Sequence, residues 1–271
     1  MSEALNHMPD AIHPAADAAE LPVTETIRLL HGRVSVRRYT DRPVDDAHVE
    51  VVLRAAFRAP TSSNIQSYGV VVVRDPETLK RLSVVTKNQR HVAEAPVFLA
   101  FCADLGRIET AMKSYGFDID DNNLEMGLVA SIDAALVGMS ASLAAESLGL
   151  QGVMIGAVRN DAAETARILG LPHRVYCVFG MVLGWPAEAP PQKPRMPLDA
   201  VVHYDRWGER RSARTVADAV AAYDAELAAH YRSQGRTTND DSWTADVAKK
   251  FSVRPRQKLR GDLADRGFDF G

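Results

Sequence analysis

Arg33, Ser35 and Arg37 alternate with Val34 and Val36 in "RVSVR". If this piece is extended, its three polar side chains share one face. A guanidinium fork beside a hydroxyl suits a phosphate or a ring carbonyl. A solvated edge strand has the same pattern, and spacing alone leaves both readings open. A second group lies in "PTSSN" with Gln66, where Thr61, Ser62, Ser63 and Asn64 could bind a polar heterocycle or simply build a turn. A third lies in "MIGAVRN": Gly156 and Ala157 allow close backbone approach and Arg159 follows, although a strand-end turn with no ligand fits equally. The fourth is "GWPAEAPPQKPRMP", with Lys193 and Arg195 set among Pro186, Pro190, Pro191, Pro194 and Pro197. Proline fixes φ and cannot donate to a ladder, so these cations ride on a stiff extended loop.

Hallmarks of other chemistries are missing from the sequence: GxGxxG, GxxxxGK[ST], HExxH and GxSxG do not occur. His91 and His203 lack metal-ligand spacing, and Asp133 sits in an apolar run where a satisfied buried carboxylate is the better reading. The result is a site rich in phosphate-seeking and amide groups and poor in acid–base pairs, with no catalytic side chain and no metal. That profile suits a protein whose cofactor carries the chemistry.

The elements that must position these groups follow from periodicity. Short helices are expected over 24–30 and 45–57, the second with Asp45 as its cap and Val49, Val52, Leu53 and Ala56 on one face. "YGVVVV", "APVFLAFCA", "GVMIGAVRN" and "RVYCVFGMVLGW" read as four core strands. "DPETLKRLSVV" has the Asp-Pro start of a helix, and "DAAETARILG" has a D-x-x-E capping box and a closing Gly170. A long helix over 124–148, closed by Gly149, carries small residues on more than one face, which places it at the centre of the fold or at a subunit interface. The segment 107–123, with "DIDDNN", reads as a mobile acidic excursion, and the chain from about 216 reads as helical. Strands alternating with helices predict an α/β or α+β core around one sheet.

Bulk properties agree. The chain has 271 residues, 46% hydrophobic and 25% charged, with a net charge of −3, an ordinary globular balance that gives no footing for a general nucleic-acid binder. Asp133 and Glu146 interrupt the longest apolar run, which argues against a membrane span. Cys102 and Cys177 form no CxxC and suggest no disulfide framework, and the N-terminus lacks a basic start; a cytoplasmic protein is expected. Residues 1–23 read as a disordered tail and 24–271 as one domain with a helical C-terminal extension.

Together these segments resemble the nitroreductase family of FMN-dependent oxidoreductases, over roughly residues 24–267. The motifs are "RVSVRRYTDRPV", "APTSSNIQSYGVVVV", "TKNQRHVAEAP", "AAESLGLQGVMIGAVRN" and "LGWPAEAPPQKPRMP". The subgroup they look most similar to is that of oxygen-insensitive NADPH nitroreductases and NADPH–flavin oxidoreductases. The resemblance implies an α/β sandwich, α+β in class, with a central, mostly antiparallel sheet flanked by helices. It also implies an obligate homodimer with FMN at the interface, touched by both chains. Flavin contacts are then expected from Arg33, Ser35, Arg37, Thr61, Ser62, Ser63, Gln66, Gln89, Gly156, Ala157, Lys193 and Arg195, with Asn64 held loosely. Lys193 and Arg195 would clamp the phosphate, Arg37 the pyrimidine end and the Gly156 backbone N–H the ring edge, while 107–123 would form a lid. The implied activity is ping-pong electron transfer from NADPH (or NADH) to a small-molecule acceptor such as a nitroaromatic or quinone.

Two departures stand out. Arg33 replaces the subgroup's usual His and Val34 its usual Arg, and the stretch before Trp243 holds Asn239, Asp240 and Asp241, where arginines suited to a ribose 2′-phosphate are usual. Acidic groups there favour a free 2′-hydroxyl, although the basic run 249–260 could compensate. Free flavin or an anion such as chromate is the alternative acceptor, and a non-enzymatic nucleic-acid module is the remote alternative.

Overall fold

The structure is a computed structural model that describes residues 23–119, 124–236, 242–253 and 255–270. Apart from Val23, the expected tail lies outside them. In chain order the helices and strands are α1 (Glu25–Gly32), α2 (Asp46–Ala56), β1 (Tyr68–Val73), α3 (Pro76–Val85), α4 (Arg90–Ala93), β2 (Val97–Asp104), α5 (Gly106–Ser114) and α6 (Leu124–Ser147). They continue with β3 (Gln151–Ile155), α7 (Ala162–Leu169), β4 (Val175–Gly184), α8 (Leu198–Val201), α9 (Val216–Ser233), α10 (Trp243–Phe251) and α11 (Leu259–Ala264). The chain divides into two compact units, Met1–Pro190 with Lys258–Gly271, and Pro191–Gln257.

Local chemistry sets most boundaries. Thr24 accepts from Ile27 N to start α1, and Asp75 accepts from Thr78 N with Pro76 following in α3. Asp161 caps α7 through Glu164 N, and Gly170 ends it at φ 63°. Only half of the expected capping box forms there, because the Glu164 carboxylate turns to Arg167 at 2.6 Å. Asp45 stands at the N-cap of α2 but makes no capping hydrogen bond; its carboxylate lies 3.7 Å from His48 Nδ1 instead.

Two expectations are corrected. The segment 107–123 is not a plain excursion: α5 occupies its first part, with Leu105, Ile108 and Met112 packed into one apolar cluster at helical spacing. Of "DIDDNN", residues 120–123 lie outside the described residues. The third strand stops at Ile155, and Gly156–Asn160 forms a 3₁₀ turn.

The first unit is built on one antiparallel sheet in the order β1-β2-β4-β3. β2 is buried on both faces, with Val97, Leu99 and Phe101 packed on one side and Phe98, Ala100 and Cys102 on the other. The first face receives α2 and α6 through Val52, Ala134, Val137, Ala141 and Ala145. The opposite face receives α3 through Leu79 and Leu82, and α7 through Ile168 and Leu169. The result is a helix–sheet–helix sandwich. Small residues on α6 admit large rings from the sheet: a Cβ on Gly138 would lie 2.4 Å from the Phe179 ring. Among the described residues α6 is the one helix long and apolar enough to cross a membrane, and half of that stretch is buried inside the protein. The second unit has its own small core of Tyr223, Leu227 and Tyr231 on α9 with Met196. A capping box between Thr215 and Asp218 starts α9.

Candidate cofactor site

The loop before β1 carries Thr61, Ser62, Ser63, Asn64 and Gln66. Ser63, Asn64 and Gln66 have φ values of 46°, 55° and 55°, a left-handed conformation that costs non-glycine residues about 1–3 kcal/mol each. Asp133, fully buried in α6, holds the loop at both ends: Ser62 N and Ser67 N each donate to its carboxylate at 3.0 Å. Arg107 from α5 adds donors to Gln66 O at 2.8 Å and to Tyr68 O, and pairs with Asp104 at 2.8 Å. With the backbone fixed in this way, the side chains of Ser62, Ser63, Asn64 and Gln66 face solvent, while Thr61 is half-buried. Asp133 is thus a satisfied buried carboxylate, and its work is positional.

"RVSVR" is extended, as the alternation predicts. Buried Val36 donates its N–H to Gly152 O at 3.1 Å, so the segment runs beside β3. Arg33 does not stand open: it pairs at 3.5 Å with Glu146 near the C-terminal end of α6. Burial pushes the Glu146 carboxyl up, and Arg33 and the Ser142 hydroxyl only partly offset that. Arg37 N and Arg38 N donate to Glu188 Oε1 at 2.7 and 3.1 Å, and Arg38 Nε to Oε2 at 3.0 Å. Burial raises the Glu188 carboxyl, but these donors outweigh it and hold the group below the usual carboxylate range. Glu188 therefore ties the start of the proline-rich loop to the backbone of Arg37. The Arg37 guanidinium is exposed, donates to Ser35 O at 3.4 Å, and has no carboxylate partner among the described residues.

Gln89 is half-buried at the N-cap of α4, after Lys87 and Asn88 in left-handed backbone. His91 follows and faces Arg37 and Glu188; burial first, then the Arg37 charge, lower its pKa and favour the neutral ring. Gly156 and Ala157 occupy the 3₁₀ turn after β3. Nothing within the chain requires a glycine at 156: its φ is not positive, and an added Cβ would meet only Arg159 at an ordinary 3.5 Å. Arg159 is engaged internally, donating to Val178 O.

Lys193 and Arg195 lie in the second unit. Lys193 Nζ bonds the Tyr231 hydroxyl at 2.9 Å and sits 5.0 Å from that ring's centre, with Arg236 at 4.2 Å over the same ring. Tyr223 OH donates to Pro194 O at 3.2 Å, and Arg195 Nη1 donates to Lys193 O and Pro194 O. The proline loop is thus seated on α9 by two tyrosines about two turns apart. Both cations are exposed, and neither has a carboxylate partner among the described residues.

Within the first unit the expected residues fall into two groups. Arg33–Arg37, Gln89 and Gly156–Ala157 gather toward the β3 edge, and the 61–66 loop precedes β1 at the other edge. Two clefts lie away from the first group: one of about 260 Å³ touches Gln66, and one of about 540 Å³ lies along β1 and the end of α7. The residues that sequence reasoning missed are Glu146, Glu188 and Tyr231. Glu146 and Glu188 were visible as charges inside quoted motifs, and Tyr231 as part of the 223/227/231 helical stripe. Asn239, Asp240 and Asp241 lie outside the described residues.

The fold is a helix–sheet–helix sandwich with cationic and amide-bearing loops at its strand ends. The chain belongs to the nitroreductase family: the family's description, "Nitroreductase family", matches residues 30–185, and "Nitroreductase family, C-terminal domain" matches 193–271. It is similar to an oxygen-insensitive NADPH nitroreductase of Salmonella typhimurium, with 37% identity over 91% of this chain and 99% of that protein. A Bacillus subtilis FMN reductase (NADPH) is 31% identical over 91% of this chain and 99% of its own length. Among solved structures, B. megaterium NfrA2 superposes with a TM-score of 0.86 at 33% identity, covering 92% of this chain and 99% of that one.

Proposed function

We propose that this protein is an FMN-dependent oxidoreductase that moves electrons from NADPH to a nitroaromatic, quinone or related small acceptor. The observation that carries the reading is the set of cations Arg37, Lys193 and Arg195, exposed and without carboxylate partners among the described residues. The first unit offers chemistry that fits the same group: a rigid loop presents Ser62, Ser63 and Gln66, and no side chain projects from Gly156. An anionic phosphate and a polar, flat ring system are what such donors bind.

When bound, FMN supplies the two-electron exchange. Lys193 and Arg195 bind its phosphate, pre-set by the prolines and by Tyr223 and Tyr231, so little side-chain entropy is lost on binding. Arg37, with its backbone fixed by Glu188, holds the pyrimidine end and stabilises negative charge there. Thr61, Ser62, Ser63 and Gln66 orient the ring, with Gln89, Ser35, Gly156 and Ala157 lining it. Arg33 contributes through its pair with Glu146, as a positioning residue more than a phosphate clamp. In this reading no side chain needs to move a proton.

A homodimer accommodates the two groups of contacts, which lie toward opposite edges of one sheet. Leu124, Leu128, Ile132 and Leu136 form an exposed apolar row on α6, spaced every fourth residue, a surface suited to a second copy. Two free, buried thiols accord with the cytoplasm. The relative from Bacillus subtilis supports free flavin as a second acceptor.

The test is the visible spectrum of the purified protein under anaerobic conditions. A bound-flavin spectrum that bleaches with NADPH and returns with a nitroaromatic or quinone is the expected result. A protein that takes up no FMN when it is supplied would overturn the reading.

A further inference from the structure

Cys102 in β2 and Cys177 in β4 are direct register partners across the two central strands of the sheet. Both side chains enter the same core cluster and both are free; Cys102 Sγ donates to Ala100 O at 3.7 Å and Cys177 Sγ to Phe179 O at 3.5 Å. Partners in a regular antiparallel pair have Cα atoms about 4.5–5.5 Å apart, within the roughly 4.4–6.8 Å span of a disulfide, and here a register shift between Phe101 and Cys102 brings Cys177 opposite Cys102. The pair is also placed where a small solute can arrive. Cys102, although only 1% exposed, forms part of the wall of the cleft of about 540 Å³, with Val71, Leu171, Pro172 and Val175. Arg266 laces the rim of that cleft through Leu171 O and Pro172 O, each at 2.7 Å, and Val175 O at 2.8 Å. Its guanidinium is within electrostatic reach of Cys102, as that of Arg159 is of Cys177.

We propose that Cys102 and Cys177 form a two-electron oxidation site, at which a small hydroperoxide converts the cross-strand thiol pair into a reversible disulfide. The Cys102 sulfur attacks a peroxide oxygen, the S–O bond forms, the O–O bond breaks, and an alcohol or water leaves with the thiol proton. The Cys177 sulfur then attacks the sulfenic sulfur, the S–S bond forms, the S–O bond breaks, and water leaves with the second proton. Two thiols and one peroxide thus give one disulfide, one alcohol and one water. The order follows from position and charge. The neighbouring Cys102 thiol, with burial, holds the Cys177 thiol well above the usual range, so it keeps its proton until the second step. The product closes a long loop between the two central strands and restricts the unfolded chain.

The inference is independent of the flavin reading, and its test does not use enzyme activity. The intact native protein is treated with hydrogen peroxide or cumene hydroperoxide, quenched with an alkylating agent, and analysed by intact mass and peptide mapping. The expected result is loss of two hydrogens per chain, a mapped Cys102–Cys177 link within one chain, full reversal by a dithiol, and a raised thermal midpoint for the oxidised form. Cys177→Ala should instead stop at sulfenic or sulfinic acid on Cys102. Should that variant not fold, the wild-type map decides alone. Both thiols remaining alkylatable while methionines of the same sample are oxidised would overturn the proposal. So would a link that forms only after denaturation.

Discussion

Asp133 and Glu146 stand thirteen residues apart on α6, and each anchors a different part of the proposed cofactor site. Asp133 accepts Ser62 N and Ser67 N at 3.0 Å, and Glu146 pairs with Arg33 at 3.5 Å. At 1.5 Å of rise per residue the two anchors are about 20 Å apart along the helix. One rigid element therefore sets the 61–67 loop and the extended "RVSVR" segment at a fixed separation, which gives the acidic side chains of so apolar a helix a structural role.

Asp133→Asn keeps the shape but turns an amide toward one of two buried N–H donors. Leaving such a donor unsatisfied costs roughly 1–3 kcal/mol. We expect urea unfolding to show a loss of that order. Titration of the apoprotein with FMN should show weaker binding, because the left-handed residues Ser63, Asn64 and Gln66 lose their restraint. Unchanged affinity would mean the loop does not touch the flavin.

Lys193→Ala and Arg195→Ala each remove one charge-assisted contact, worth about 1.5–3 kcal/mol. Each should weaken FMN binding roughly 10- to 150-fold, and the double variant should purify nearly colourless. Tyr231→Phe should fall between wild type and Lys193→Ala, since it frees the ammonium group without removing it. Equilibrium dialysis of FMN against wild type and the four variants measures all of this.

The strands, the long helix and the extended "RVSVR" segment were legible because period-2 and small-residue patterns are local. So was the stiffness of the 184–197 loop, written in its prolines. The partners of the charged residues were not legible, since they depend on pairing across the chain: Arg33 finds Glu146, and Arg37 N finds Glu188 151 residues away. α5 was hidden by the acidic run that follows it, although Leu105, Ile108 and Met112 carried the helical spacing. The strand expected through 160 ended early because the chain turns at Gly156 into a 3₁₀ segment. Cysteine spacing along the chain likewise gave no hint that Cys102 and Cys177 would face each other.

Glu146 has its carboxyl raised chiefly by burial. A raised folded-state value means that the native protein binds the proton more tightly than the unfolded chain. This group's contribution to stability is thus full below the ordinary glutamate value and declines as pH rises through the folded one. Arg33→Met removes the nearest compensating cation and should push that window to higher pH, whereas Glu146→Gln should abolish the slope. Urea midpoints measured across pH 4 to 8 for the three proteins would show it; a wild-type slope of opposite sign in the Gln-sensitive component would contradict the assignment.

The most direct measurement of the account is subunit mixing between two FMN-depleted variants, Arg37→Ala and Asp133→Asn, each lesioned at a different edge of the sheet. If every flavin site takes one edge from each of two chains, co-refolding gives half heterodimers with one intact site each. About a quarter of wild-type flavin binding and NADPH oxidation should then return. Heterodimers confirmed by native mass that bind no flavin would mean that both edges of a site come from one chain, and the two-chain site would be wrong.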